Sequence, residues 1–154
     1  MTALSEKNKI GIRFNGFKFL RFGFEQQSDI DTGEDFDIEL GINLEVDKSA
    51  IVVKVLTTFS RKNVDKIVAQ IETASLFQIK GIEPSEEQEE PPKYPEGLLV
   101  TAISLAISTT RGAIIAKGCG SFLEHFLLPI VDPKTFLPKP DDESKLIAED
   151  KILD

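Results

Sequence analysis

The feature that most constrains the fold is a long alternation of apolar and polar residues in the first half of this 154-residue chain. From residue 36 to residue 46 every second side chain is apolar, and three of the five residues between them are acids. A period of two predicts a strand with one buried face. At roughly 3.3 Å per residue the strand would be about 35 Å long, well above the usual length. Its apolar positions are Phe36, Ile38, Leu40, Ile42, Leu44 and Val46.

Two further segments continue the alternation. After a short polar break at residues 47–48, apolar residues alternate again from Ile51 to Phe59, and these first two runs predict an antiparallel hairpin. A turn at residues 61–63 leads to another run over residues 64–79. Together the runs predict a meander of long antiparallel strands.

The first predicted strand, residues 10–24, alternates less regularly. Its apolar residues change phase between Phe19 and Leu20. Such a change predicts a β-bulge, or a strand that changes its partner along its length. Its phenylalanines fit an aromatic core strand as well as an aromatic groove, and the residues alone leave both interpretations open.

Residues 83–96 differ from the strands before them in being rich in glutamate and proline. Such a composition disfavours both sheet pairing and helix. The segment is therefore predicted to be a solvated crossover loop.

Residues 97–117 predict a helix of about six turns, about 30 Å long. No charge occurs between Gly97 and Thr110, and a helix that is apolar nearly all round needs cover on more than one side. Its hydroxyl residues and Arg111 make it a poor membrane span. One side of this helix can rest on the sheet. The other side also needs cover, so contact with a second subunit is predicted there. The residues predicted at this oligomer interface are Leu99, Ile103, Leu105 and Ile107.

Gly118 follows the last turn of this helix, where a left-handed glycine cap is expected. A C-terminal segment, residues 121–154, comes next. Within it, Asp141 or Asp142 can cap a short terminal helix.

The net charge of −8 argues against a general nucleic-acid binder, which needs a basic surface facing phosphates. It also disfavours anionic membranes, and it suits cationic partners and unfolded basic segments. Cys119 is the only cysteine, so an internal disulfide is impossible. The first residues lack the apolar stretch of a secretion signal, and a cytoplasmic location is expected.

The sequence offers little for catalysis or metal binding. Cys119 and His125 could pair as nucleophile and base, but nothing near them in sequence would orient such a pair. A buried cysteine and a partly exposed histidine are expected instead. The acids between residues 29 and 37 do not follow the spacing of a calcium-binding loop. No catalytic residue, metal site or cofactor is expected.

Two motifs resemble SecB-type export chaperones. The end of the last predicted strand resembles the family's fourth strand, in which small residues precede a hydrophobe and Phe-x-Ile-x-Gly-Ile. The matching positions are Ala74, Ser75, Leu76, Phe77, Ile79, Gly81 and Ile82. After the long helix, a Gly-aromatic turn and an apolar stretch resemble the family again. Those positions are Gly120, Ser121, Phe122, Leu127, Leu128, Pro129 and Ile130.

The order of elements also resembles that family over nearly the whole chain. It implies a single SecB-like α+β domain over residues 1–154: a four-stranded antiparallel sheet of long strands, a crossover loop, a long helix and a C-terminal helix. The Phe-Glu pair ending at Glu25 resembles a family motif whose acid contacts the translocase motor SecA. However, Gln70 stands where the family has a second acid for that contact, and the Cys/His-bearing tail of many members is missing.

The resemblance implies an ATP-independent holdase that binds extended apolar segments of non-native polypeptides, with export as one use. It also implies a homotetramer built from two dimers. Neither nucleic-acid binding nor membrane insertion is expected. The predicted client-binding residues are Phe17, Phe19, Phe22, Phe24, Leu76, Phe77, Ile79, Phe122 and Phe126. Two alternatives remain open: a chaperone or adaptor that serves a single partner such as an antitoxin, and a carrier of a small hydrophobic ligand.

Overall fold

The computed structural model describes five stretches of the chain: residues 10–26, 36–62, 65–81, 94–125 and 128–137. The strands are β1 (Gly11–Phe24), β2 (Phe36–Val46), β3 (Ala50–Arg61) and β4 (Lys66–Lys80). The helix is α1 (Glu96–Lys117), and two short 3-10 helices span Phe122–His125 and Pro133–Phe136. Most of the predicted acidic loop and the predicted C-terminal helix lie outside the described residues.

The four strands form one antiparallel sheet in the order β1-β4-β3-β2. β2, β3 and β4 form the predicted meander, and the turn between β2 and β3 closes where Asp47 N–H donates to the Ala50 carbonyl at 2.9 Å. β1 pairs with β4, so β1 and β2 are the two edge strands. With α1 following the sheet, the predicted α+β class is confirmed.

One face of the sheet is covered by α1, which packs over β3 and β4. We call this face, which carries Ile71 and Phe77, the helix side, and the opposite face, which carries Glu72 and Leu76, the outer face. Alternate residues of β3 and β4 are buried on the helix side, as the period of two predicts. The buried residues of α1 are Ala102, Ile103, Ala106, Ile107, Thr110 and Ile114.

The core between α1 and the sheet divides into two apolar clusters. Phe59, Ile71 and Ile114 belong to one, and Val55 and Phe77 belong to the other. Fully buried hydroxyl side chains occupy the strand and helix positions between the two clusters. These are Thr57, Thr73, Ser75 and Thr110.

Two bulges in β1 place its large apolar side chains on the helix side. Asn15 and Leu20 are the extra residues, because the pairing with β4 skips both. Each bulge reverses the alternation of the strand. As a result, all the apolar residues that pair with β4 face helix-side partners. They are Ile12, Phe14, Phe17, Phe19, Phe22 and Phe24. The predicted change of phase between Phe19 and Leu20 is the second of these bulges.

The C-terminal end of α1 differs from the predicted cap. Gly118 has a φ of −84° and is not left-handed, because its N–H still donates to the Ile114 carbonyl at 2.8 Å and continues the helix. A Cβ at residue 118 would lie 2.6 Å from the Leu123 Cβ, so glycine is required there for space. The left-handed residue is Gly120, with a φ of +87°.

α1 begins one residue before the prediction and ends at the predicted Lys117. Its start is tied to the sheet by Tyr94, whose hydroxyl donates to the Asp47 carbonyl at 2.8 Å. Burial raises the pKa of Tyr94. By length and composition alone α1 could cross a membrane, whereas in this fold one of its faces packs on the sheet.

Candidate functional site

The strongest candidate site is a continuous row of aromatic side chains on the helix side of β1. Phe17, Phe19, Phe22 and Phe24 contact one another edge to face, with centroid distances of 5.4, 5.3 and 5.8 Å along the strand. Phe24 continues the row to Phe122 at 6.0 Å. We call these five residues the phenylalanine row. Edge-to-face pairs contribute about 0.5–1.5 kcal/mol each beyond their buried area, so the rings of the row stabilise one another.

The phenylalanine row is only partly buried along β1. Because α1 packs over β3 and β4, the edge strand lies beyond the helix. Phe17, Phe19 and Phe22 are half-buried, and Phe24 is 39% exposed. A contiguous row of apolar side chains that stays partly exposed is a candidate binding surface.

Lys117, the last residue of α1, covers the middle of the row. Its Nζ lies 5.2 Å from the ring centroids of both Phe19 and Phe22. The ammonium group is attracted by the faces of the rings, and the aliphatic stem can cover them. A flexible cation therefore screens the centre of the row from water.

Phe122 anchors the row in the core. Its ring stacks on Phe36 at 5.6 Å and meets Phe59 edge to face at 6.4 Å. Phe122 is only 5% exposed, so its contact with Phe24 joins the end of the row to the buried core.

The remaining predicted client-binding residues lie elsewhere. Phe77 and Ile79 are buried in the core under α1. Leu76 is half-buried on the outer face, because consecutive residues of a strand point to opposite faces. Phe126 lies outside the described residues. The structure therefore brings together the four phenylalanines of β1 and Phe122.

Two parts of this helix-side surface were not predicted from the sequence. Phe14 is 43% exposed and contacts Phe77 edge to face at 5.3 Å, which extends the aromatic surface along β1. The bulge at Asn15 hides this position, since simple alternation puts Phe14 and Phe17 on opposite faces. The second part is the partly buried aliphatic row of β2: Ile38, Leu40, Ile42, Leu44 and Val46. Its alternation was visible, but its place on an edge beyond the helix was not.

Glu25, the predicted motor contact, lies just past β1 on a polar surface. Its Oε2 pairs with the Lys66 Nζ at 2.9 Å, and both side chains are more than half exposed. Nearby, Arg21 donates to Gln70 Oε1 at 3.1 Å. An exposed pair of this kind contributes little to stability.

The four residues predicted at the oligomer interface lie on two faces of α1. Leu99, Ile103 and Ile107 are four residues apart and share the face that packs on the sheet; Ile103 and Ile107 are buried there. Leu105 is half a turn away and is 42% exposed. Within the described residues, Leu105 is therefore the one member of the set that stays exposed.

Cys119 and His125 are both exposed, so the prediction of a buried cysteine is wrong. Cys119 lies in the glycine-flanked turn beyond α1, where no core covers it. The Gly120 N–H donates to Glu124 Oε2 at 3.0 Å and lowers the pKa of that carboxyl, and His125 lowers it further. Glu124 therefore stabilises the turn.

The outer face carries a separate open hollow of about 520 Å³. Gly16 and Ala74 belong to its lining, together with Leu20, Leu76 and Lys54. Lys54 donates to Glu45 at 2.8 Å, and this hydrogen bond raises the pKa of Lys54. Within the described stretches, no three His, Cys, Asp or Glu residues are grouped to hold a metal.

Comparison with known proteins identifies the fold. No protein-family model and no curated protein matches the chain. Among solved structures it is similar to the SecB-like chaperone Rv1957 of Mycobacterium tuberculosis, solved in complex with a ChAD peptide from the Rv1956 HigA1 antitoxin. Identity is 18%, coverage is 85% of this chain and 91% of that one, and the TM-score is 0.50. A protein of unknown function from Streptococcus agalactiae is 10% identical, with coverage of 79% and 99% and a TM-score of 0.45. The similarity to Rv1957 shows that this chain has a SecB-like fold.

Proposed function

We propose that this protein is an ATP-independent chaperone of the holdase type, which binds extended apolar segments of non-native polypeptides along the phenylalanine row. The single observation that carries the proposal is the position of that row. Four of its five rings lie on an edge strand beyond the helix, and these four stay partly exposed.

The energetics of such binding are adequate. Burial of apolar surface contributes about 25 cal/mol per Å², so a few hundred Å² of contact gives several kcal/mol before the ordering of the client is subtracted. The rings are already held by one another and by Phe122, so little of their own freedom is lost. The Lys117 side chain must move aside, which costs only a surface interaction.

The proposal has four finer parts. The peptide bound to Rv1957 supports a polypeptide partner at the level of the shared fold. A cytoplasmic location is proposed from the sequence, and a homotetramer of two dimers is proposed from the resemblance to SecB-type chaperones. Contact with the translocase motor SecA is proposed only at Glu25, because that carboxylate is exposed.

The test is suppression of aggregation. A reduced or heat-destabilised client is followed by light scattering, with and without stoichiometric protein and without ATP. Wild-type protein is expected to suppress scattering. The variant Phe14→Ser/Phe24→Ser, which removes the two most exposed rings of β1, is expected to need roughly ten times more protein for the same effect.

A matched control distinguishes binding at the row from a general effect of exposed apolar surface. Leu56→Ser/Ile130→Ser also removes two exposed hydrophobes, but neither belongs to β1 or lines a hollow together with a ring of the row. This control should suppress scattering like wild type. Wild-type protein that leaves aggregation unchanged would overturn the proposed function, and equal losses in the two double variants would move binding away from the row.

One alternative function has its own support. The antitoxin peptide on Rv1957 favours a chaperone dedicated to a single partner. Lysate pull-downs with native and with heat-stressed extract distinguish the two. A general holdase captures many proteins, and more after stress, whereas a dedicated chaperone captures the same one in both.

A further inference from the structure

We propose that Asn15 is a site of spontaneous covalent modification, at which the side-chain amide is lost and aspartate and isoaspartate form. The proposal is carried by the position of Asn15 in the fold. It is the extra residue of the first bulge of β1, and Gly16 follows it. The proposal goes beyond the proposed function, and it holds whether or not the phenylalanine row binds clients.

Asn15 is the asparagine of this chain whose following residue hinders the reaction least. In the first step, the main-chain nitrogen of the next residue attacks the side-chain carbonyl carbon of asparagine. Glycine has no side chain to obstruct that approach, and it gives the main chain its greatest freedom. Asn8, Asn43 and Asn63 are followed by lysine, leucine and valine, so Asn15 alone precedes glycine.

The bulge removes the protection that a regular strand gives to asparagine. In a regular ladder, the extended main chain and its hydrogen bonds hold the next nitrogen away from the asparagine side chain. The pairing of β1 with β4 passes from Phe14 to Gly16 and skips Asn15. The extra residue of a bulge is left unpaired and the ladder is disrupted around it. Asn15 therefore has the main-chain freedom that ring closure needs.

The side chain of Asn15 is also accessible to the water that the second step consumes. Asn15 is exposed, and within the described stretches of the chain its side chain has no hydrogen-bond partner. No contact of the folded subunit that is described here has to break before the amide reacts.

The reaction balances with water as its only co-reactant. The Gly16 nitrogen bonds to Asn15 Cγ, the bond between Cγ and Nδ2 breaks, and ammonia leaves with the proton of the Gly16 N–H. The product is a succinimide ring with two carbonyl carbons. Water that opens the ring at Cγ gives aspartate. Water that opens it at the main-chain carbonyl gives isoaspartate, in which the main chain runs through Cβ and Cγ.

The two products should differ in their effect on the phenylalanine row. Aspartate replaces a neutral amide by a negative charge and leaves the main chain unchanged. Isoaspartate adds the same charge and also inserts a carbon atom into the main chain. The insertion falls in the bulge that brings Phe14 and Phe17 to the same side of the sheet. We therefore expect isoaspartate, and not aspartate, to disturb the row.

The site is tested by mass spectrometry of digested protein after incubation of the folded chain at mildly alkaline pH. Asn15 is expected to lose its amide roughly 10-fold faster than Asn43, which pairs with Lys54 in a regular ladder and precedes leucine. The rate should rise with pH, because removal of the Gly16 N–H proton starts the reaction. Equal rates at the two asparagines overturn the proposal.

Two glycine variants locate the cause of the reaction. Gly16→Ala places a Cβ no closer than 3.9 Å to the Leu76 Cβ, so the fold should be kept while the reaction slows roughly 10-fold. Gly23→Ala is the matched control in the same strand, because a Cβ there meets nothing within 4 Å. It should react like wild type. An unchanged rate in Gly16→Ala overturns the proposal.

A synthetic peptide of residues 11–20 gives the rate without the fold. The folded protein should react at a rate similar to that of the peptide, because Asn15 is outside the ladder. Reaction of the peptide alone would show that the fold protects Asn15, and it would overturn the proposal.

The effect on the row is measured on the isoaspartate fraction, separated by chromatography and compared with the variant Asn15→Asp. The isoaspartate fraction should lose binding of a hydrophobic dye and suppression of client aggregation, whereas Asn15→Asp should keep both. Equal behaviour of the two would overturn the assigned effect on the row. An unmodified protein without holdase activity would overturn the proposed function, and the loss of the Asn15 amide would still be measured by its mass.

Discussion

Thr73 of β4 and Thr110 of α1 face each other in the core, with their hydroxyl oxygens 2.8 Å apart. Thr110 Oγ1 also donates to the Ala106 carbonyl at 2.7 Å, so the shared proton belongs to Thr73. Both residues are fully buried. The hydrogen bond is polar, directional and placed between the two apolar clusters, so it fixes the position of α1 along the sheet.

Thr110→Val is expected to destabilise the fold more than Thr73→Val. Without Thr110, the buried Thr73 hydroxyl loses its acceptor, at a cost of about 1–3 kcal/mol. Without Thr73, Thr110 still donates to Ala106, and the loss should be about 1 kcal/mol or less. The double variant should recover part of the loss, because no unpaired hydroxyl remains. Urea unfolding of the four proteins measures the cycle, and additive losses would contradict the assigned direction.

Thr57 and Ser75 should behave in the opposite way. Their hydroxyl oxygens are buried without a hydrogen-bond partner among the described residues. Removing a buried unpaired hydroxyl at constant shape avoids its desolvation cost, so Thr57→Val should stabilise the fold by about 1 kcal/mol. The free energy of unfolding in urea is the measurement. A decrease in that free energy would mean that Thr57 has a partner in the folded protein.

The two glycines after α1 should differ in their tolerance of alanine. Gly118→Ala pushes a Cβ against Leu123 and the Ile114 carbonyl, and a loss of about 2–3 kcal/mol is expected from the clash. Gly120→Ala puts a side chain at a left-handed φ with open space around it, so the cost should be about 1–2 kcal/mol. Thermal unfolding compares the two with Gly97→Ala, which is exposed in the first turn of α1 and should be neutral or stabilising.

Part of this fold could be predicted from local sequence patterns, and part of it could not. Alternation located β2, β3 and β4, because a half-buried strand imposes a period of two on the chain itself. The phase change at Leu20 was also local and could be recognised. The order of the strands in the sheet does not follow from the local sequence. For the same reason, the position of β1 and β2 beyond the helix could not be predicted. The split of Leu76 from Phe77 and that of Leu105 from Ile103 are local as well, because consecutive strand residues point to opposite faces and residues two apart on a helix lie half a turn apart. Which face of each element is covered depends on the tertiary placement.

The proposed oligomer can be tested at α1 without disturbing the core. Leu105→Asp changes an exposed side chain, so the subunit should stay folded while the assembly falls apart. Ile103→Asp instead buries a charge beneath the sheet and should unfold the subunit. Sedimentation gives the mass and circular dichroism gives the fold. Ile130→Asp, at a 96% exposed position beyond α1, is the matched control and should keep the wild-type mass. A Leu105→Asp protein with wild-type mass would exclude this face of α1 from the interface.

Lys117 should act as a cover for the phenylalanine row, and two substitutions separate its charge from its stem. Lys117→Ser removes both, and Lys117→Met keeps an apolar stem over Phe19 and Phe22. The serine variant should bind a hydrophobic dye more strongly and suppress client aggregation at a lower concentration, since nothing must be displaced. It should also lose about 0.5–1 kcal/mol of stability with the cation–π contact. The methionine variant should resemble wild type in dye binding, because the rings stay covered. If instead both variants bind clients more weakly than wild type, Lys117 contributes to the site as a contact and does not cover it.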